Sequence, residues 1–268
     1  MSNWFSFRIT LQTMKDYWKT FLIITILFMG MAAMYAGMYP AFKDTLADMV
    51  GGFEESMGFI IGIEDMASYV GFVNAEMYQI FWLLILAILI GLVTSSLISK
   101  EIEAKTIDLL LSNPISRRQM VFEKFMAMIP FVLLINFATF LSIYATTLAI
   151  NEELNFGYLF IVHLVSIPYL LTVVGIGFTV SVIIDEKMKA SIITMAVIIG
   201  MYIIQSISLM VPELENLGYL SITHYFNTYE ILKFGTVDGV GVIVLCALAI
   251  ESLLFSMYYF GNRDITVS

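Results

Sequence analysis

Six runs of apolar residues, most of them about twenty long or longer, leave this chain few architectures to choose from. They cover about residues 20–38, 78–98, 126–149, 158–184, 190–210 and 240–260. A helix rises about 1.5 Å per residue, so about 20 apolar residues cross the hydrocarbon core of a bilayer. Inside that core every backbone N–H and C=O needs a partner within the protein, and a helix supplies one for each. The runs therefore read as six transmembrane helices of an all-α membrane protein. They consume most of the 268 residues, which leaves no room for a soluble catalytic domain. Only 13% of the residues are charged, against about 25% in a soluble domain. The first run is followed by Ala32, Ala33 and Ala36, as a cleaved signal peptide would be. It is longer than the usual apolar core of about 7–15 residues, and five more spans follow, so a retained first helix is the simpler reading. Cys246 is the only cysteine and lies in the last span, which excludes a disulfide framework.

An even number of spans puts both termini on one side. Eleven basic residues share that side: Arg8, Lys15 and Lys19; Lys100, Lys105, Arg117, Arg118 and Lys124; Lys187 and Lys189; and Arg263. The other side has Lys43 and Lys233 alone. Basic residues collect on the cytoplasmic side of membrane proteins, so both termini are expected there, in a multi-pass protein of the cell membrane. Thirteen of the 22 acidic residues fall outside, eight inside, and Glu251 within a span. The net charge of −9 is thus an acidic outer surface, which speaks against nucleic acid as a partner.

Little lies outside the spans. Within residues 1–18, Trp4, Phe7, Leu11, Met14 and Trp18 share one helical face, with Arg8 and Lys15 off it. That pattern predicts an interfacial helix in contact with membrane lipid. Residues 39–77 and 211–239 read as outer loops. The first is expected to hold short surface helices around the apolar patch MGFIIGI; the second is rich in tyrosine.

The stretch KEIEAKTIDLLLSNPISRRQMVFEK, residues 100–124, carries nine of the 35 charged residues and lies between spans two and three. Ile107, Leu110, Leu111 and Pro114 form an apolar stripe, and Glu101, Lys105, Asp108 and Ser112 a polar one, so a first amphipathic helix is predicted. Glu101 precedes Lys105 by four, the favourable order for an ion pair. Pro114 pushes Asn113 out of the helical region and ends that helix. Ser116 followed by Gln119 is the capping-box pattern that opens the next one. Helix, turn and capped helix make an ordered device rather than a slack linker; a charged hairpin lying on the membrane is the alternative.

This string resembles the signature of type-2 ABC-transporter permeases. The matching positions are Glu101, Thr106, Leu109 to Leu111, Pro114, Ile115, Ser116, Arg117 and Lys124, placed between spans two and three as in that family. Many members carry Gly before the Thr; this chain carries Lys105. The ending FGNRDITVS and the six-span layout are also similar. The resemblance implies that residues 100–124 are a cytoplasmic coupling helix docking on a separate ABC ATP-binding subunit. Leu110, Leu111 and Ile115 would then anchor, while Glu101, Lys105, Arg117 and Arg118 pair across the interface. It also implies a second permease copy or a paralogue. No G-x-x-x-x-G-K-[ST] phosphate loop is present, so the chain is not expected to hydrolyse ATP. ATP and Mg belong on the partner, and no cofactor is expected in this chain.

Three polar residues within spans are candidates for a translocation path: Glu251 at mid-depth in span six, Asn136 in span three and Gln205 in span five. Each can equally serve as a hydrogen-bonding group between helices. His163, near the outer end of span four, reads as a packing residue. With two histidines and one cysteine no metal site is expected. Pro168 is expected to bend span four. A secondary transporter using Glu251 as proton carrier is the main alternative, although no inverted repeat is visible. A membrane scaffold or intramembrane enzyme is a further alternative, and no catalytic constellation supports the latter.

Overall fold

The computed structural model describes residues 7–57, 59–105 and 116–263, with the side chains at 47–57 left out. Among these residues the chain is all helical, in eight helices, with 3-10 segments at Ile63–Asp65, Pro212–Leu220 and Ile222–Tyr225. They are α1 (Arg8–Met57), α2 (Tyr69–Glu103), α3 (Arg117–Met126), α4 (Ile129–Ile150), α5 (Phe156–Ile183), α6 (Lys187–Met210), α7 (Thr228–Phe234) and α8 (Gly239–Asn262). Six helical stretches are long and apolar enough to cross a membrane, with α3 and α4 forming one of them.

The ends follow from local chemistry. Asn151 closes α4 in the left-handed conformation, with φ 56°. Four residues later Asn155 Oδ1 accepts from Gly157 N at 2.9 Å and Tyr158 N at 3.2 Å, which opens α5. Asp238 Oδ1 does the same for α8 through Val240 N at 3.0 Å. α5 runs unbroken through Pro168. The proline leaves one carbonyl of the preceding turn without its helical N–H, yet packing on both sides holds the helix.

α5 is the hub of the bundle and packs against α2, α4, α6, α7 and α8. Close approach of α2 to α5 needs Gly177, where an added Cβ would fall 1.9 Å from Thr94 Oγ1. α1 packs chiefly on α4, where Phe21 stacks on Phe131 with centroids 4.2 Å apart. The middle of α2, Asn74–Leu86, is wound as a wider π-helix, in which Tyr78 and Trp82 are fully buried.

Two expectations change. The described part of the expected 1–18 helix is not set off as a separate helix: from Arg8 onward it is continuous with the first span, and Trp4 lies outside the described residues. Pro40 and the pair Gly51-Gly52 sit inside Arg8–Met57 without ending it. The same continuity removes the expected short surface helices from the first half of the 39–77 loop. At 50 residues α1 is about 75 Å long, far more than a bilayer needs, so it projects beyond the hydrocarbon. The rest of that loop folds back on the bundle: Tyr39 Oη donates to Ala67 O at 2.7 Å, and Asn74 Nδ2 to Ile61 O at 2.8 Å.

Candidate functional site

The two flanks of the 100–124 segment meet at the basic end of the bundle. α2 ends at Glu103, and Lys105 turns left-handed at φ 53°. That region suits glycine, so a lysine here sits in a backbone conformation that side chains disfavour. The turn also interrupts the helix predicted to run on from Glu101 through Lys105. Thr106, Leu110, Leu111, Pro114 and Ile115 lie outside the described residues. On the far flank Ser116 Oγ accepts from Gln119 N at 3.1 Å, so the serine caps α3 as its spacing predicts. The reciprocal half of the box is replaced: Gln119 Nε2 donates to Glu123 Oε1 at 2.8 Å.

Charged groups on these flanks reach five spans. Glu123 is 1% exposed, and its Oε2 accepts from Ile9 N at 3.0 Å and Thr10 N at 3.4 Å. A carboxylate thus caps the positive N-terminus of α1. Next to it Lys124, 5% exposed, donates to Leu97 O at 2.6 Å and to Glu101 Oε1 at 3.2 Å, which ties α3 to α2. From the other flank Glu103 Oε2 accepts from Lys187 N at 2.9 Å, at the start of α6. Arg117 donates to the backbone carbonyl of Arg263, and Arg118 Nη2 to Asn262 Oδ1 at 3.4 Å, both at the end of α8. Arg263 in turn bonds Val182 O of α5 at 2.8 Å and pairs with Asp185 at 2.8 Å. Chemically this is a strap. Short polar contacts thus join the described flanks of residues 106–115 to α1, α2, α6 and α8, and through Arg263 to α5.

Glu103 and Glu123 were not singled out by sequence. The available signal was two acidic residues bordering apolar runs on the strongly basic side. Arg117 and Arg118, expected to face a partner, bond within the chain; Arg118 also remains exposed. Glu101 serves the buried Lys124 as well as any contact at its own turn.

The three candidate path residues are not brought to one site. Asn136 belongs to a buried cluster of α2, α4 and α5. Its Nδ2 donates to Val132 O at 2.9 Å, which turns Oδ1 toward His163 Nδ1 at 3.3 Å. An amide oxygen only accepts, so Nδ1 carries the proton. Nε2 is then the acceptor, and Tyr78 Oη donates to it at 2.9 Å. Ser166 also donates to Asn136 Oδ1. Trp82 stands edge-on to the His163 ring at 5.1 Å. His163 is a buried, doubly bonded packing residue, as its position in the sequence predicts. Gln205 is buried on α6 beside Gly218. Glu251 is exposed on the outer face of α8. Among the described residues no group of His, Cys, Asp or Glu is placed to hold a metal ion.

Comparison with known families decides what such a bundle belongs to. The family model described as ABC-2 family transporter protein matches residues 13–265. The chain belongs to this family. A search of curated proteins found no match. As an ABC-2 family membrane subunit the chain is a multi-pass protein without an ATPase domain, and ABC-2 permeases work with ATP-binding subunits.

Proposed function

We propose that this ABC-2 subunit is the permease of an ATP-driven exporter, moved through residues 100–124 by a separate ATP-binding subunit. The observation that carries the reading is the strap itself. The flanks of one short segment are fixed to α1, α2, α6 and α8 by contacts at Glu103, Glu123, Lys124, Arg117 and Arg118, and Arg263 extends the link to α5. A loop that merely covered the membrane surface needs no such wiring. Leu110, Leu111 and Ile115 are proposed as apolar anchors for the partner, with Lys105 and Arg118 as its charged rim. The basic end is the cytoplasmic one, where ATP is available, and both termini share it. The first turns of α1 lie there at the lipid interface, and a second permease, identical or paralogous, completes the pathway.

The test is reconstitution of the chain with its ATP-binding subunit in vesicles, with ATP hydrolysis as readout. The expected result is hydrolysis that depends on the permease, and that falls to the level of the isolated subunit when Leu110 and Leu111 are both replaced by Ala. Transport that runs on a proton gradient without nucleotide contradicts the proposal and favours a secondary transporter.

A further inference from the structure

α8 carries a carboxyl on a face where lipid would be a poor neighbour. Glu251 sits at the midpoint of the 24-residue helix Gly239–Asn262, and its side chain is exposed. Leu245, Ala249, Ser256 and Phe260 bury the opposite face, and α8 packs on α5. Around Glu251, the open face of α8 is formed by Ala247, Ile250, Leu254, Phe255 and Tyr258. The spacing of these six residues is i, i+3, i+4, i+7, i+8 and i+11, the seam by which one helix packs on another. Ile250 and Leu254 are each 58% exposed, and Ala247 leaves a recess between such large side chains.

Apolar side chains alone would be content in lipid, and the exposed faces of α1, α4 and α6 need no other explanation. Glu251 differs. It is the only Asp, Glu, Lys or Arg within the central parts of the six spans. An acidic side chain at mid-membrane is costly in hydrocarbon, and such residues face a protein interior or pair with a partner. Here the bundle interior is on the other side of the helix.

We infer that the Glu251 seam of α8 docks a transmembrane helix of a different subunit that carries a lysine or arginine at mid-depth. Charge complementarity selects this occupant. A second copy of the same chain has no cation at that depth to offer. A two-fold contact along the seam would set the two Glu251 carboxyls against each other, and like charges at that range disfavour ionisation of both. The inference is independent of the strap at the basic end and of the ATP-binding subunit.

The test uses the whole chain in lipid nanodiscs, labelled with a fluorophore at its single cysteine, Cys246, which is exposed on α8 beside the seam. The probes are synthetic transmembrane peptides, a polyleucine helix with Lys at its centre and the same helix with Leu there, each bearing a quencher. The expected result is at least tenfold tighter association of the Lys peptide. That preference disappears in Glu251→Gln, which keeps the shape of the side chain. Leu254→Trp, which blocks the seam and keeps the carboxyl, weakens binding of both peptides. Equal association of the two peptides overturns the inference. So does Glu251-dependent pairing of two copies of the chain, read as self-quenching of the Cys246 label.

Discussion

Replacing Glu123 by glutamine isolates the link between the 100–124 segment and α1. In the native protein both carboxylate oxygens accept. Oε2 takes Ile9 N at 3.0 Å and Thr10 N at 3.4 Å, and Oε1 takes Gln119 Nε2 at 2.8 Å. An amide has one accepting and one donating end, so either the α1 N-terminus or Gln119 meets a donor. The lost hydrogen bond to a charged acceptor is worth about 1.5–3 kcal/mol. The lost charge at a helix N-terminus adds roughly 0.3–1 kcal/mol. Together they weaken the cap by about 2–4 kcal/mol, or roughly 30- to 800-fold. Amide hydrogen exchange of the purified chain in nanodiscs reads this directly. Protection of Ile9 and Thr10 falls by that factor in Glu123→Gln, while amides in the middle of α5 keep theirs. Gln119→Ala, which removes one neutral donor and leaves the carboxylate on α1, lowers it far less. Unchanged exchange at Ile9 and Thr10 would refute the view that Glu123 holds α1.

Three further outcomes follow from single sites. Lys124→Met removes the partner of Glu101 and a donor to Leu97 O, and destabilises by about 2–4 kcal/mol; the double change with Glu101→Gln recovers part of that, seen in thermal unfolding. Lys105→Gly relieves the left-handed backbone and raises the melting temperature, whereas the β-branched Lys105→Ile lowers it. At the acidic end Lys233 pairs with Asp65 at 2.8 Å and bonds Tyr229 at 2.8 Å. Desolvation lowers the Lys233 pKa, but these partners outweigh it and hold the value above the ordinary 10.5. A raised value means the contribution is complete at neutral pH and is lost as pH rises through the folded value. Alkaline unfolding of wild type therefore shows a step above about pH 10.5 that Asp65→Asn lacks.

The spans were legible because bilayer thickness imposes a length on apolar runs, and all six fall on long helices. Their ends were less so. Nothing in hydropathy says that a helix stops where lipid does, and α1 continues through Arg8 on one side and to Met57 on the other. Ser116 was readable as a cap because the donor, Gln119 N, is local in sequence. The destination of the Gln119 side chain was not, since Glu123 lies four residues on and is itself held by α1. The roles of Glu103 and Glu123 rest on contacts 84 and 114 residues apart, which no periodicity encodes. His163 read correctly from its place in a span, but its partners Tyr78 and Asn136 needed the fold.

The central claim is that residues 100–124 grip an ATP-binding subunit and pass its motion to the spans. The most direct measurement is the affinity of that subunit for the nanodisc-embedded chain, wild type against Leu110→Ala with Leu111→Ala. Truncated anchors in a packed interface cost about 2 kcal/mol or more, so binding is predicted to weaken at least roughly thirtyfold while the thermal stability of the bundle stays the same. Full-strength binding by the double variant would contradict the account and leave the segment as a hairpin on the membrane surface.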